Sequence, residues 1–419
     1  MLFQLNILSA QEISFLHLNT THGLSDNLVS CAVRDTNGIL WIGTSEGLNS
    51  YDGYTVKKYY KEDYPALTSN NIASLAIDDS NRIWVRNYLG KVTMIDEKRN
   101  FIAVPVLDKG EEVAAVAVHK TKRFGITVMS GNKIYALKKD KNYFFEKIKW
   151  EEDTSLVRGY IQSKNENNDT LVVISSNRFC VFDMANLKVL YKVAVPDIIG
   201  AAWLNDEELI VTTGFDRQLF KVNLPGQKIT HNYAAYLKDQ YGESVKGYLR
   251  HIRKMNDGKF IMTSGYGGVY VFDATNEKIY RYQHDPLNIR RISANNTAHV
   301  FADGSGYVYI TTRSAGLNYF NTNHKLATYR SSFQETSTGK IFHGFINYVT
   351  RYQAGNYWMG TQTGLIEWDR NLNTIKFHDY GEKNGVPLNG VEEVRALCFD
   401  KQDKLWVGLN RYGIVVLDK

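Results

Sequence analysis

Cysteine is scarce in this chain. Its 419 residues include three cysteines, Cys31, Cys180 and Cys398, each in an apolar, strand-like run far from the others. An odd number at this spacing argues against a disulfide framework and against the paired ligands of a zinc site. We therefore expect three buried, unreactive thiols and no bound metal.

Proline and long apolar runs are also scarce. The chain has 6 prolines and almost no helical periodicity, and nothing beyond its N-terminus approaches an apolar membrane span of about 20 residues. The short apolar run from Leu2 to Ala10 precedes polar Gln11 and Glu12 and is similar to the end of a secretory signal peptide, although no basic segment precedes it. A plain strand-like tail is the alternative. We take residues 1–11 as a signal-peptide-like remnant, which predicts export.

Charge of one sign is not concentrated in any segment. The net charge is +6, with 50 Lys and Arg scattered among 44 Asp and Glu. Proteins that bind nucleic acid cluster their basic side chains. We therefore expect a solvated surface and no direct contact with nucleic acid.

Motifs that would carry catalysis are missing. The sequence has no Walker-type loop, no His-Glu-x-x-His and no Cys-x-x-Cys. Gly265 to Gly268 reads GYGG, but it lies between two strand-like runs with no helix after it, so it is a turn and not a phosphate loop. The ten histidines are dispersed, and His251 lies within the basic run RHIRK. We expect no enzyme activity and no cofactor.

What the chain does contain is a repeated pattern rich in aromatic residues, with 27 Tyr and 19 Phe, which suit short strands. The clearest copy runs from Gly23 to Tyr60 as four strand-like segments joined by Asp-, Asn- and Gly-containing turns. Similar copies begin at Leu67, Ile292, Gly344 and Val391, with weaker ones between them. The first strands begin near residues 29, 72, 114, 157, 199, 248, 296, 346 and 393.

This period of about 42 to 50 residues is the length of one propeller blade. It predicts an all-β fold, a β-propeller of four-stranded antiparallel blades. A blade cannot bury both faces alone, so neighbouring blades must stack. The same point of the second strand holds Trp41, Trp84, Tyr309, Trp358 and Trp406, which we expect to pack between blades.

Two ways of closing the ring are open. The leading strand, 13–18, could complete a seventh blade, which makes residues 12–320 the first propeller and residues 321–419 the start of a second, truncated one. Alternatively, all nine copies form one ring, and the leading strand pairs with residues 414–417. Seven-bladed rings are commoner, so the first arrangement is favoured.

The copy at Gly23 to Tyr60, with the leader Phe15 to Asn27, resembles the two-component-regulator propeller repeat. That repeat is typical of the periplasmic sensor region of hybrid two-component histidine kinases in Bacteroidetes. The resemblance implies two seven-bladed propellers, then an immunoglobulin-like domain, a membrane helix, a histidine kinase and a response regulator. It also implies sensing of glycan breakdown products and control of polysaccharide-utilisation genes. This chain stops after about nine blades, so it is expected to be an N-terminal piece, a truncated product or a stand-alone relative.

The turn between the second and third strands departs from its internal consensus in several copies. In propellers this turn lies on the face around the central channel. The departures introduce aromatic and polar side chains suited to the apolar face, the hydroxyls or an acidic substituent of a sugar. The predicted ligand-binding residues are Arg86, Asn87, Tyr88, Phe215, Asp216, Arg217, Tyr266 and Arg313. Neutral drift in exposed turns is the alternative.

The function predicted from these features is a non-enzymatic periplasmic sensor that binds an oligosaccharide and signals to a histidine kinase portion. A second copy of the chain is a further candidate partner. The alternatives are a scaffold for protein–protein contact and, less favoured, a secreted propeller lyase or hydrolase acting on glycans.

Overall fold

The computed structural model of the chain describes residues 13–131, 133–148, 157–163, 169–175, 177–214, 218–323, 333–339, 341–342, 345–352, 356–369, 374–378, 393–411 and 413–417. The predicted remnant at 1–11 lies outside these residues. The chain divides into two compact units, 1–326 and 327–419. Among the described residues the helices are short 3-10 turns, at Thr20–His22, Pro65–Leu67 and Tyr233–Ala235.

The first unit consists of mainly antiparallel sheets that we call blades 1 to 7. The first strand, β1 (Leu16–Leu18), belongs to blade 7. Blade 1 contains β2 (Val29–Arg34), β3 (Leu40–Thr44), β4 (Gly47–Tyr51) and β5 (Val56–Tyr59). Blade 2 contains β6 (Ile72–Ile77), β7 (Ile83–Asn87), β8 (Val92–Ile95) and β9 (Phe101–Ala103). Blade 3 contains β10 (Val106–Asp108), β11 (Glu111–Glu112), β12 (Ala117–Thr121), β13 (Gly125–Ser130), β14 (Lys133–Lys139) and β15 (Tyr143–Lys147).

The remaining blades repeat this order. Blade 4 contains β16 (Val157–Ser163), β17 (Thr170–Ser175), β18 (Arg178–Asp183) and β19 (Lys188–Ala194). Blade 5 contains β20 (Ile198–Trp203), β21 (Glu208–Thr213), β22 (Leu219–Asn223) and β23 (Lys228–Asn232). Blade 6 contains β24 (Leu249–Lys254), β25 (Phe260–Ser264), β26 (Val269–Asp273) and β27 (Lys278–Tyr282). Blade 7 contains β28 (Thr297–Ala302), β29 (Tyr307–Thr312), β30 (Leu317–Asn321) and β1.

The blades of the first unit form a closed ring. Strands β2, β6, β12, β16, β20, β24 and β28 each lie beside the next one, and β28 lies beside β2. These are the innermost strands, so they surround the axis of the ring. Strand β1 pairs antiparallel with β30, with Leu16 opposite Tyr319, and thereby supplies the fourth strand of blade 7. That is the pairing required by the first of the two closures considered above.

A β-bulge recurs near the start of the innermost strand. In blade 1 the pairing shifts between Val29 and Cys31, and the equivalent shift occurs in blades 2, 4, 5, 6 and 7. A bulge leaves one residue outside the ladder and redirects the side chains beside it. The inner edge of the ring therefore carries a short irregular segment in most blades.

Blade 3 differs from the predicted four-stranded pattern. Strands β10 and β11 form a hairpin around Lys109 and Gly110, and β10 pairs parallel with the outermost strand β15. The sheet therefore has six strands, and its innermost strand begins at Ala117 instead of near 114. The extra hairpin adds to the outer edge, so the inner part of the blade is unchanged.

An aspartate-capped turn joins the first and second strands of several blades. In blade 2, Asp78 Oδ1 accepts the amides of Ser80 and Arg82, both at 3.0 Å, and Oδ2 accepts the indole N–H of Trp84 at 2.8 Å. In blade 1 the indole N–H of Trp41 donates to Asp35 Oδ2 at 3.2 Å, and in blade 7 the hydroxyl of Tyr309 donates to Asp303 Oδ2 at 3.3 Å. One carboxylate thus fixes both the turn and the aromatic ring six residues later.

The expected packing of these rings between blades is confirmed within the ring. Trp41 of blade 1 packs with Ile72 and Leu75 of blade 2, and Trp84 packs with Val118 of blade 3. Tyr309 closes the series against blade 1. The repeat therefore stacks its blades through an aromatic side chain at one fixed position.

The second unit contains a hairpin of β31 (Phe333–Gln334) and β32 (Ile341–Phe342) and two larger antiparallel sheets. One sheet has β33 (Ile346–Tyr352), β34 (Asn356–Thr361), β35 (Gly364–Asp369) and β36 (Thr374–His378). The other has β37 (Val394–Phe399), β38 (Leu405–Leu409) and β39 (Gly413–Leu417). Trp358 packs with Val394 and Leu397 between these sheets, whereas Trp406 is 40% exposed.

The expectation of three buried thiols is correct for two of them. Cys31 and Cys180 are buried, and burial raises the pKa of Cys31 to about 11. Cys398 is exposed, so that part of the prediction is wrong. Successive side chains of a strand point to opposite faces, and Cys398 follows the buried Leu397 on β37.

The capped turn yields a prediction on stability. Replacing Asp78 by alanine removes the partners of two backbone amides, the Trp84 indole and the Arg82 guanidinium, which donates at 2.7 Å. Leaving buried donors without partners costs about 1–3 kcal/mol, so Asp78→Ala should lower the midpoint of thermal unfolding by several degrees.

Asp79→Ala is the matched control, because Asp79 is the adjacent carboxylate and its exposed side chain pairs with Lys120 at 2.7 Å. An exposed ion pair contributes little to stability, so this variant should unfold close to the wild type. Equal midpoints for the two variants would contradict a structural role for the capped turn.

Candidate functional site

The turns between the second and third strands of the blades lie at one end of the ring. In blade 2 the amide of Tyr88 donates to the carbonyl of Asn71 at 3.0 Å, and in blade 7 the amide of Arg313 donates to the carbonyl of Asn296 at 3.2 Å. Each acceptor stands at or just before the start of the innermost strand, and blades 1, 5 and 6 share this bond. These turns, which we call the site turns, therefore surround the end of the ring where the innermost strands start.

Asn87 holds the site turn of blade 2 together. Its buried amide nitrogen donates to the carbonyl of Leu67 at 2.8 Å and to Thr68 Oγ1 at 2.7 Å, and its oxygen accepts the amides of Leu89 and Lys91. The side-chain amide of Asn87 thus makes its hydrogen bonds within the protein. The turn consequently presents Tyr88 to solvent, with 59% of its surface exposed.

Tyr266 is presented by the site turn of blade 6 and is 68% exposed. The turn depends on its glycines: a Cβ on Gly268, which has φ +82°, would collide with the carbonyl of Tyr282, and one on Gly267 would collide with that of Lys246. Ser264 Oγ accepts the amide of Gly267 at 2.9 Å. GYGG is thus a tight turn between β25 and β26, as expected.

A buried arginine anchors this turn. Arg281 Nε donates to the carbonyl of Gly267 at 2.9 Å, and its Nη1 donates to Glu243 Oε2 at 2.8 Å. Beside the turn, the rings of Tyr248 and Tyr266 meet edge to face, with centroids 6.0 Å apart. Tyr266 therefore projects from a backbone that is fixed on two sides.

Arg86 and Arg313 occupy different kinds of position. Arg313 is exposed in the site turn of blade 7. Arg86 lies within β7, opposite Ser74, and its Nε donates to Ser74 Oγ at 3.0 Å. The equivalent residue of blade 1 is Gly43, where a Cβ would meet Ile72 of blade 2. An arginine at this position is therefore a departure from the repeat that the ring itself does not require.

The predicted residues Phe215, Asp216 and Arg217 of blade 5 lie outside the described residues.

Basic side chains from the innermost strands meet beside Tyr248, next to the site turn of blade 6. The imidazoles of His251 on β24 and His299 on β28 lie 4.1 Å apart between their centroids. Arg250 donates to the carbonyl of Thr297 at 3.0 Å and to the Tyr248 hydroxyl at 2.8 Å. We call six basic residues the channel cluster: Arg86, His119, Arg250, His251, Arg253 and His299. Tyr248 thus connects Tyr266 to the cluster.

Burial and positive charge act together on the cluster. Burial, followed by the charges of Arg253 and Arg86, lowers the pKa of His119 to about 4. Burial and the charges of Arg253, Arg250 and Arg313 lower the pKa of His299 to about 4. Burial, His299 and both arginines of β24 lower the pKa of His251 well below its usual value. Two of the predicted ligand-binding residues therefore act on the histidines of the cluster: the charge of Arg86 acts on His119, and that of Arg313 acts on His299.

The interaction between Arg253 and His119 crosses the ring. Arg253 belongs to blade 6 and His119 to blade 3, and blades 4 and 5 separate them along the ring. The charge of Arg253 nevertheless acts on His119. Side chains of blades that do not touch can approach only through the central channel, so the channel is where the cluster converges.

Inspection of the sequence misses this cluster because His119, His251 and His299 are far apart along the chain. The repeat nevertheless contains one signal of the cluster, the equivalent positions of two of its histidines. The amides of His251 and His299 donate to Thr263 Oγ1 and Thr311 Oγ1, both at 3.0 Å, so the two histidines occupy the same position in neighbouring blades. This equivalence becomes apparent only from the register of the strand pairing in the two blades.

Two kinds of feature are absent from the part of the chain that the structure describes. There, no three His, Cys, Asp or Glu side chains are grouped so as to hold a metal ion. Nor does that part contain a helix with the length and apolar character of a membrane span.

Comparison with known proteins gives a family match within blade 1. The sequence model of the family described as Two component regulator propeller matches residues 23–46. This match confirms the resemblance predicted from that copy of the repeat. A comparison with curated proteins gave no match.

Solved structures match over most of the chain. The extracellular domain of a putative hybrid two component system from B. thetaiotaomicron is 17% identical with a TM-score of 0.62, covering 97% of this chain and 59% of that one. A second such domain from B. thetaiotaomicron is 18% identical with a TM-score of 0.55, covering 97% and 52%. This chain thus spans little more than half of each. At such identities the likeness shows the fold, and it confirms the β-propeller class.

Another solved structure matches a smaller part of the chain. Virginiamycin B lyase from Staphylococcus aureus is 13% identical with a TM-score of 0.55, covering 74% of this chain and 99% of that one. This likeness shows the propeller fold again, in a protein named as an enzyme.

The channel histidines predict a loss of stability in mild acid. The pKa of an imidazole in the unfolded chain is near its ordinary value of 6.5, whereas the pKa of His119 and that of His299 in the fold are about 4. The unfolded state then binds more protons between these values, so the free energy of unfolding should decrease as the pH falls through that window.

Thermal unfolding from about pH 7 to about pH 5, above the range where carboxylates are mostly protonated, measures this effect. His299→Gln should show a smaller fall in midpoint over this range than the wild type. An identical pH dependence in the two proteins would contradict the assigned burial of His299.

Proposed function

We propose that this chain is a non-enzymatic, periplasmic sensor propeller that binds a glycan-derived oligosaccharide and signals to a histidine kinase portion outside the chain. Two findings support a sensor role. Residues 23–46 match the two-component-regulator propeller family, and the fold resembles extracellular domains of putative hybrid two component systems. The sugar ligand rests on the chemistry of the site turns.

A sugar is proposed as the ligand because two exposed tyrosines lie at one end of the ring. Tyr88 and Tyr266 both project from rigid site turns, and Tyr266 adjoins a second ring, that of Tyr248. A pyranose ring has an apolar face that packs on aromatic side chains, while hydroxyls need polar partners such as Arg86 and Arg313. Rings held in place before binding lose little conformational entropy when the ligand arrives.

The proposal includes the organisation of the chain. We propose that residues 1–11 direct export, that residues 12–320 form the sensing propeller, and that residues 321–419 begin a second propeller. The two sheets of the second unit support this last point, because they repeat the strand order of the blades. Signalling then requires that the ligand bind two arrangements of the sensor with different affinity.

A propeller lyase is the second candidate function, favoured by the paired imidazoles of His251 and His299. Histidine is the residue most often used for proton transfer in catalysis. Release of product from a glycan that raises the unfolding midpoint would favour this candidate over a sensor. Failure of every glycan, together with recovery of a protein partner, would instead favour a scaffold.

Binding of the glycan should depend on the exposed tyrosines. Screening a glycan panel by thermal shift identifies the oligosaccharide, and calorimetry then measures its affinity. Tyr88→Ala and Tyr266→Ala should each weaken binding about tenfold, because each removes one aromatic contact. Neither change should lower the unfolding midpoint appreciably, since both side chains are largely exposed.

Tyr54→Ala is the matched control. Tyr54 is 93% exposed and lies in the turn between β4 and β5, at the opposite end of blade 1 from its site turn. Its loss should leave the affinity unchanged. Equal affinity in the wild type and both site-turn variants would remove these turns from the site.

A further inference from the structure

The channel cluster concentrates positive charge where the fold does not need it. The position of His251 and His299 is occupied by Cys31 in blade 1, Ser74 in blade 2 and Gly200 in blade 5. Small neutral side chains therefore satisfy the geometry of an innermost strand. The histidines at this position in blades 6 and 7 therefore need an explanation other than blade packing.

The bulge of blade 6 places consecutive residues of β24 at this inner edge. Pairing with β25 shifts between Leu249 and Ile252, so Arg250 and His251 lie in the irregular segment. Bulges are common beside functional sites because they redirect side chains. Arg253 follows on the same strand, and its Nη1 donates to the carbonyl of Ile252 at 2.9 Å.

Arg250 is held in position before any ligand binds. Its guanidinium donates to the Thr297 carbonyl and the Tyr248 hydroxyl, and it lies 4.9 Å from the centroid of the Tyr248 ring. Both acceptors are uncharged. A guanidinium fixed in this way offers its remaining N–H groups in a planar fork that matches a carboxylate or a sulfate.

Positive charges that act on the same site repel each other, and partial desolvation of the site strengthens the repulsion. His119 and His299 lie deep in the ring yet keep part of their surface accessible, as expected for side chains lining a narrow channel. Neutral imidazoles there can still donate an N–H to an anion. An anion beside Arg250 would give its guanidinium a charged acceptor in addition to the two uncharged ones.

From this convergence we infer that the channel cluster is a binding site for an anionic group, a carboxylate or a sulfate, held by Arg250 and Arg253 with His251 and His299 beside them. The charges of Arg253 and Arg86 both act on His119 of blade 3. The inference stands whether or not the ring senses glycans. The anion belongs either to an acidic saccharide or to a free ion, and these sources share the same recognition chemistry.

Calorimetry at constant ionic strength tests the site with four probes: galactose 6-sulfate, glucuronate, galactose and inorganic sulfate. At least one anion should bind the wild type, and Arg250→Gln and Arg253→Gln should each weaken it about tenfold or more, as expected for charge-assisted contacts. Arg253→Lys, which keeps the charge, should retain part of the affinity. Lys58→Gln removes an exposed charge from the outermost strand β5 and should have no effect.

Folding of each variant is checked by its unfolding midpoint. If one arginine variant does not fold, the other and His299→Gln decide the result, because all three side chains belong to the cluster. Inorganic sulfate that binds as tightly as galactose 6-sulfate identifies a free anion as the ligand, whereas preference for the acidic sugars identifies a saccharide. Either result supports the site.

Absence of binding by all three anions, or equal affinity in the wild type and the arginine variants, would overturn the inference. These outcomes are separate from those of the proposed function. A neutral glycan that needs Tyr88 and Tyr266 but not the arginines supports the sensor and rejects the anion site. Anion binding in the absence of any tyrosine-dependent glycan supports the anion site alone.

Discussion

Contacts of each innermost strand with the neighbouring blade hold the ring together, and every other feature depends on them. Ser30 Oγ of blade 1 donates to the carbonyl of Ile72 in blade 2 at 2.6 Å, and Thr263 Oγ1 of blade 6 donates to that of Ala298 in blade 7 at 2.9 Å. These bonds lie near the bulges, where a residue has left the ladder and its buried backbone groups need other partners. Adjacent blades thus complete each other's hydrogen bonding as well as their apolar packing.

This arrangement leaves a few positions free to vary. The capped turns, the stacked aromatic rings and the glycines of the site turns are repeated because blade geometry requires them. The side chains that face the channel and the solvent at the site turns are under no such requirement. Arg86, Arg250 and Tyr266 occur at such positions. The same ring therefore carries a repeated frame and a set of individual side chains that converge on one end and on the axis.

The frame was largely predictable from the chain. The innermost strands begin at Val29, Ile72, Val157, Ile198 and Thr297, within about one residue of the repeat starts read from the pattern. Blade 3 was not, because its added hairpin pairs with an outer strand, a contact that the repeat does not encode. The exposure of Cys398 was also missed, since an apolar strand pattern does not say which face of a sheet a neighbour covers. At the site, Tyr88, Tyr266 and Arg313 lie on the predicted face, whereas the side chain of Asn87 makes hydrogen bonds that hold its own turn.

Local pattern alone determined the blade, because alternation of side chains, Asx turns and the spacing from aspartate to aromatic residue act within about forty residues. Only the tertiary structure decided which side chains meet in the channel. Arg253 and His119 are more than a hundred residues apart and belong to blades that do not touch. They approach each other because the ring closes, and closure is a relation among all seven sheets that no single copy of the repeat contains.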